Sequence, residues 1–161
     1  MASGQIFPMT GNHTAPFWET KQLSEMTHEE WEALCDGCGK CCLVLFEDDD
    51  TDEVWETDLT CKLFDCKTRR CRDYANRRTL VPGCVHLTPD NIQSLKWMPD
   101  TCAYRRLAKG QGLADWHPLI TGIRDSVVRA GIAVPADLLS ESVVPEEEQE
   151  FHIHARRWPK G

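Results

Sequence analysis

Long apolar runs are absent from this chain of 161 residues. No stretch approaches the roughly 18 consecutive apolar residues that a membrane-crossing helix needs, so no membrane partner is expected. A basic excess is absent as well. Eighteen Lys and Arg face 26 Asp and Glu, for a formal net charge of −8. Nucleic-acid binding usually requires a basic face, so nucleic acid is not an expected partner. The first residues, MASGQIFPMTGNHT, lack the basic start and apolar core of a signal peptide. A cytoplasmic location is therefore expected, and with it reduced thiols. The G-x-G-x-x-G, P-loop, G-x-S-x-G and H-E-x-x-H patterns are missing, and no internal repeat is visible. With no catalytic motif outside a metal site, the balance leans against an enzyme.

Cysteine, by contrast, is plentiful. The chain has nine, and four of them fall in CDGCGKCC at positions 35, 38, 41 and 42. A disulfide framework does not account for them, because the count is odd, the expected compartment is reducing, and a bond between adjacent Cys41 and Cys42 would be strained. Buried free cysteines account for one or two thiols, not for a cluster this dense. Metal chelation does. Two-residue turns between cysteines aim thiolates at one centre, and glycine lets the backbone wrap tightly around it. Cys35, Cys38 and Cys41 form two overlapping turns of this kind. Cys42 is ambiguous, since in extended backbone its side chain points away from that of Cys41. It serves a second centre, completes the first through a kink, or stays in the core. Cys61, Cys71, Cys84 and Cys102 offer either a fourth ligand or a second set. Thiolates suit zinc and iron alike, including an iron–sulfur cluster. The cysteine–proline ending of two-cluster ferredoxins is not present.

The surrounding pattern places this loop. Thr27 to Glu30 reads as a capping box, with Met26 and Trp31 as its hydrophobic staple. The helix runs to about Leu34 and delivers Cys35 at its end. An earlier short helix, 14–24, takes Thr14 as N-cap and Pro16 in its first turn. CLVLF (42–46), the acidic turn EDDDTDE and VWET (54–57) predict a β-hairpin. Residues 60–85, with four cysteines and six basic residues between Lys67 and Arg78, read as loop with helical turns. Thr88-Pro89 opens a helix to about Leu95, a second helix covers 99–108 and ends at Gly110, and a third lies near 124–130. From Val134 the chain mixes extended pieces with an acidic run. The expected fold is mainly α with a small β-hairpin, an irregular, metal-organised, cysteine-rich single domain. A flexible tail covers 1–13, the metal-binding domain 14–135, and a C-terminal extension, packed on the domain or trailing from it, 136–161.

Other residues carry weaker chemical signals. The acidic turn at 47–53 lacks the glycine and ligand order of an EF-hand loop and reads as a solvated turn. His152 and His154 share one side of a strand and form a candidate chelating pair. His86, two residues after Cys84, is the best histidine for a mixed site. His117, between Trp116 and Pro118, reads as structural. KTRRCRDYANRR is expected to lower nearby thiol pKa values, with an anion site or pairing to the acidic turn as further roles. Trp97, Tyr104 and Trp116 read as core, with a ligand-stacking surface as the rival.

CDGCGKCC resembles the signature of the bacterial CxxCxxCC family of zinc- or iron-chelating proteins. EEWEALCDGCGKCCL, DTDE, CRDY at 71–74, CVHLT at 84–88 and LKWMPDTCAYRRLAKGQGLADWHPLITG at 95–122 resemble its small YcgN-like branch. The resemblance covers roughly residues 16–135. It implies chelation of zinc or iron without an established activity. It also implies a ligand pool of Cys35, Cys38, Cys41, Cys42, Cys61, Cys71, Cys84 and Cys102. Cys66 departs from the pattern, which places an additional cysteine nearer position 69, here Arg69. The expected function is a cytosolic metal-binding protein. The alternatives are an iron–sulfur redox or metal-dependent enzyme, and a structural zinc adaptor for protein partners. A metal ion is the expected partner, and the residues name no protein partner.

Overall fold

The acidic turn separates two runs of strand-forming residues, and the two runs pair. In the computed structural model, which describes residues 15–160, β1 (Leu43–Asp48) lies antiparallel to β2 (Glu53–Thr60). Asp48 closes the turn by accepting the N–H groups of Asp50 and Thr51 at 2.9 and 3.2 Å. The register shifts between Leu43 and Leu45, where β2 holds extra residues. Fully buried Thr57 fills that bulge, donating its hydroxyl to the Val44 carbonyl at 2.6 Å.

A short hairpin follows, β3 (Phe64–Asp65) with β4 (Arg70–Cys71), inside the segment expected as loop. The remaining strands come from the C-terminal part. β5 (Leu139–Ser140) adds parallel to the end of β2, and β6 (Ile153–Pro159) adds antiparallel along the rest of it. β6 looks like a charged tail because its arginines face glutamates across the pair. Arg156 and Arg157 lie 3.0 Å from Glu56 and Glu53. Trp158 supplies the apolar anchor, only 9% exposed, and donates Nε1–H to the Trp97 carbonyl at 2.8 Å.

The α-helices are α1 (Phe17–Thr20), α2 (His28–Ala33), α3 (Arg77–Leu80), α4 (Ala103–Ala108), α5 (Pro118–Thr121) and α6 (Ser126–Arg129). The expectation of a mainly α fold is therefore corrected. No described α-helix exceeds six residues, whereas β2 has eight and pairs with three strands. Proline and glycine punctuation cuts the helical segments short. At Thr88 the predicted start is present, since Thr88 and Asn91 exchange side-chain hydrogen bonds at 2.9 and 3.2 Å. Only a 3-10 turn, Ile92–Ser94, follows it. The expected N-cap Thr14 and the tail at 1–13 lie outside the described residues.

Two apolar clusters flank the cysteine loop. One joins Leu34, Ile92, Ala103, Tyr104 and Leu113, with Met26, Trp31 and Cys102 packed against it. The other joins Leu43, Phe64 and Val134, with Cys42, Cys61 and Cys66 at its margin. No described helix is long and apolar enough to cross a membrane.

Candidate metal centre

The capping box forms as expected. Thr27 Oγ1 accepts the Glu30 N–H at 3.2 Å and Glu30 accepts the Thr27 N–H at 2.9 Å. This fixes α2, whose last turn ends on fully buried Leu34. The Leu34 carbonyl would be left without a partner at the helix end. His117, 2% exposed, supplies one: its Nε2 lies 2.8 Å from that carbonyl. Its Nδ1 accepts the Leu119 N–H at 3.0 Å and caps α5, so the ring proton belongs on Nε2. Reading His117 as structural therefore agrees with its place, and its clamp on the start of CDGCGKCC is what the sequence did not reveal.

The loop is held at every turn. Buried Asp36 accepts the Cys38 N–H at 3.0 Å. The Cys38 carbonyl accepts the Val134 N–H at 2.8 Å. Gly37 and Gly39 adopt φ of +76° and +79°. A Cβ on Gly39 would stand 2.7 Å from Phe64 and 2.8 Å from Val134. The Cys42 N–H returns to the Gly39 carbonyl at 3.0 Å, and the Cys61 N–H reaches the Cys42 carbonyl at 2.7 Å. Cys102 is the N-cap residue of α4.

The thiols fall into two electrostatic groups. Cys41 acts on Cys35, Cys38 and Cys102, and Cys35 is also coupled to Cys38 and Cys102, with Asp36 among them. Desolvation, then the Cys41 charge, pushes the Cys35 thiol up to about 12. Desolvation also pushes Cys102 up to about 12, helped by Cys41 and Asp36. Burial and then Asp36 raise Cys38 well above the ordinary thiol value. The hydrogen-bonded Cys42 thiol, followed by desolvation, raises Cys41. Cys35 and Cys41 nevertheless present exposed surface, whereas Cys38 is buried. The second group is Cys61, Cys71 and Cys84. Cys61 is raised, first by desolvation and then by Glu141, Cys84 and Cys71. The β3–β4 hairpin makes part of this group, because Phe64 pairs with Cys71 and its N–H bonds the Cys61 carbonyl at 2.9 Å. Half-buried Cys66 packs on the second apolar cluster.

The expected lowering of thiol pKa values by the basic stretch is not what the structure has. Every shifted thiol is raised, and no arginine charge is among the causes. Three of the five arginines in that stretch are occupied elsewhere: Arg69 pairs with Asp125 at 2.8 Å, Arg72 lies 3.8 Å from Asp65, and Arg77 stacks on Tyr74. The acidic turn is met by Lys160, 3.3 to 3.8 Å from Glu47, Asp49 and Asp52, and not by the basic stretch. His154 contacts Asp58, and only His154 of the candidate pair lies in β6. His86 is exposed, 3.4 Å from Arg77. Tyr104 is core, its hydroxyl donated to the Trp31 carbonyl at 2.7 Å. Asp36 and Glu141 are the acidic neighbours that spacing did not single out. For Asp36 the Asp-Gly turn signal was the available clue.

The donor chemistry suits a thiophilic metal. The positions are looser: among the described residues, no three Cys, His, Asp or Glu side chains converge closely enough to hold an ion.

Comparison with known proteins places the chain. Residues 34–103 match the CxxCxxCC family, described as "Putative zinc- or iron-chelating domain". A UPF0260 protein of Caulobacter sp. (strain K31) is 56% identical over 138 residues, covering 84% of this chain and 85% of the relative. The chain belongs to the CxxCxxCC family and to the UPF0260 proteins. Members at similar distance include that of Marinobacter nauticus, 53% identical with 86% and 93% coverage, and that of Shewanella amazonensis, 50% identical with 89% and 95% coverage. The family match spans CDGCGKCC through Cys102, so it takes in all eight cysteines of the expected pool. Metal chelation is supported for the family as a class. No solved structure matches the chain.

Proposed function

We propose that this protein binds zinc or iron through the thiolates of Cys35, Cys38, Cys41 and Cys102. Cys61, Cys71 and Cys84 form a second candidate set and Cys42 lies between the two. The observation that carries the reading is the electrostatic contact of two loop thiols, Cys35 and Cys41, with Cys102, which is distant in sequence. These thiols repel one another as anions, and a bound cation would offset that repulsion. The chain's own contribution is the clamped loop: His117, Val134 and Cys61 hold its backbone while the exposed Cys35 and Cys41 side chains move to meet the ion. Binding requires deprotonation, so affinity rises with pH and protons are released.

The exposure of Cys35 and Cys41 favours a second reading, an iron–sulfur centre that exchanges electrons near the surface. Oxygen-free purification followed by metal and sulfide analysis and a visible spectrum separates these. Stoichiometric zinc in a colourless protein supports zinc chelation. Iron with sulfide and broad absorbance supports the cluster. Retention of neither metal overturns the proposal. Cys38→Ser is expected to lose metal and to lower the melting temperature of the metal-loaded protein. Unchanged metal content removes Cys38 from the set.

A further inference from the structure

A cleft of about 370 Å³ opens beside the cysteine loop, against β2 and β6. It is lined by Lys40 of CDGCGKCC, Glu56, Arg156, Trp158 and Thr101, which precedes Cys102. Most charges around it are already paired. Arg156 and Arg157 face Glu56 and Glu53 at 3.0 Å, and Asp100 lies 3.8 and 3.4 Å from Arg105 and Lys109. Lys40 has no ion-pair partner among the described residues, and its ammonium sits 5.9 Å from the centre of the Trp158 ring.

Two buried oxygens at this cleft, Glu56 Oε2 and Thr101 Oγ1, have no hydrogen-bond partner among the described residues. Arg156 Nε forms an ion pair with Glu56 Oε2 at 3.0 Å, so Thr101 Oγ1 is the oxygen with neither an ion-pair nor a hydrogen-bond partner. The Glu56 side chain is only 5% exposed. Buried polar atoms are seldom left unpaired, because desolvating them without a partner is costly. Their coincidence with a cationic side chain that lacks a partner, in one cleft, indicates a polar ligand.

We propose that this cleft binds a small carboxylic acid that also carries a hydrogen-bond donor, a hydroxyl or an ammonium. Lys40 takes the carboxylate. Glu56 Oε2 accepts the ligand's donor, and Thr101 turns its hydroxyl to the ligand. Both oxygens belong to residues that line the cleft but are themselves buried. Arg156, whose side chain is 52% exposed, therefore swings outward and shares the ligand carboxylate. With Arg156, Arg157 and Asp100 each already facing an opposite charge, Lys40 is the charge left over, and it matches one carboxylate. The site needs no metal, so its failure is distinguishable from failure of the metal-binding reading.

Titration calorimetry on the full chain with lactate, alanine and propionate tests this. Lactate or alanine is expected to bind about tenfold or more tighter than propionate, because a site built for a donor rejects an analogue without one. Lactate above alanine assigns the hydroxyl, and the reverse assigns the ammonium. Lys40→Met, or Lys40→Gln if the first variant melts lower, is expected to lose about tenfold in affinity with the melting temperature kept. Thr101→Val is expected to weaken the donor-bearing ligand but not propionate. No saturable binding of lactate or alanine, equal affinity for propionate, or a folded Lys40 variant with wild-type affinity overturns the proposal.

Discussion

Cys35 and Cys102 carry the same ordinary thiol chemistry in an unfolded chain, and the folded protein changes it. Desolvation holds both thiols up to about 12 from a starting value of 9.0. In the metal-free, reduced protein at pH 8 their thiolate fraction is then about a thousandfold below that of a free cysteine. Alkylation by iodoacetamide, followed by mass spectrometry, is expected to label Cys102 far more slowly in the native protein than in urea. The same shifts act on stability. A raised thiol pKa favours the folded state below about pH 9, and that contribution fades as pH climbs toward 12. These thiols are therefore expected to leave the melting temperature of the metal-free protein unchanged between about pH 7 and 9 and to lower it above about pH 9.

The two loop glycines separate strain from crowding. Gly37 has φ of +76° with its nearest neighbour, the Arg69 carbonyl, 3.6 Å from a built Cβ, so Gly37→Ala meets backbone strain alone. That costs about 1 kcal/mol. Gly39→Ala adds contacts of 2.7 and 2.8 Å with Phe64 and Val134, and the total rises to about 2–4 kcal/mol. Urea unfolding of the two variants is expected to rank them in that order. Equal effects would mean that the Gly39 pocket yields easily.

At the scale of elements, His117 ties α2, the cysteine loop and α5 together with one ring. His117→Ala removes both hydrogen bonds, strands the Leu34 carbonyl and opens a cavity at a side chain that is 2% exposed. The expected loss is about 2–4 kcal/mol by denaturant unfolding, with weaker metal retention in the loop that it clamps. Retention of full stability would show that the Leu34 carbonyl finds another partner. Much of α2 was legible because a capping box is a local signal: four consecutive residues hold both partners of both hydrogen bonds. The clamp was not legible, because His117 and Leu34 are far apart in sequence.

For the whole molecule, the sheet depends on its last strand. β6 covers the edge of β2 and plants Trp158 against the segment that carries Trp97. Trp158→Ala is expected to cost about 3–5 kcal/mol and to lower the melting temperature even with metal bound. A small loss would mean that the sheet closes without its anchor. At this scale the sequence pattern understates the sheet. HIHARRWPK carries charges at positions that a solvated tail would also carry, and only pairing with β2 reveals that Glu53 and Glu56 await Arg157 and Arg156.

By itself the sequence determined the cysteine-rich loop, the capped helix that launches it, the hairpin that leaves it and the metal-chelating family to which they belong. Each of these is written in neighbouring residues, where spacing and local hydrogen bonding suffice. The tertiary structure alone decided that a sheet rather than a helical frame carries the loop. It also decided that the thiols divide into two groups, and that Asp36 is buried among the first and His117 clamps its backbone. Those outcomes depend on which distant surfaces exclude water together, and spacing along a chain does not contain that information.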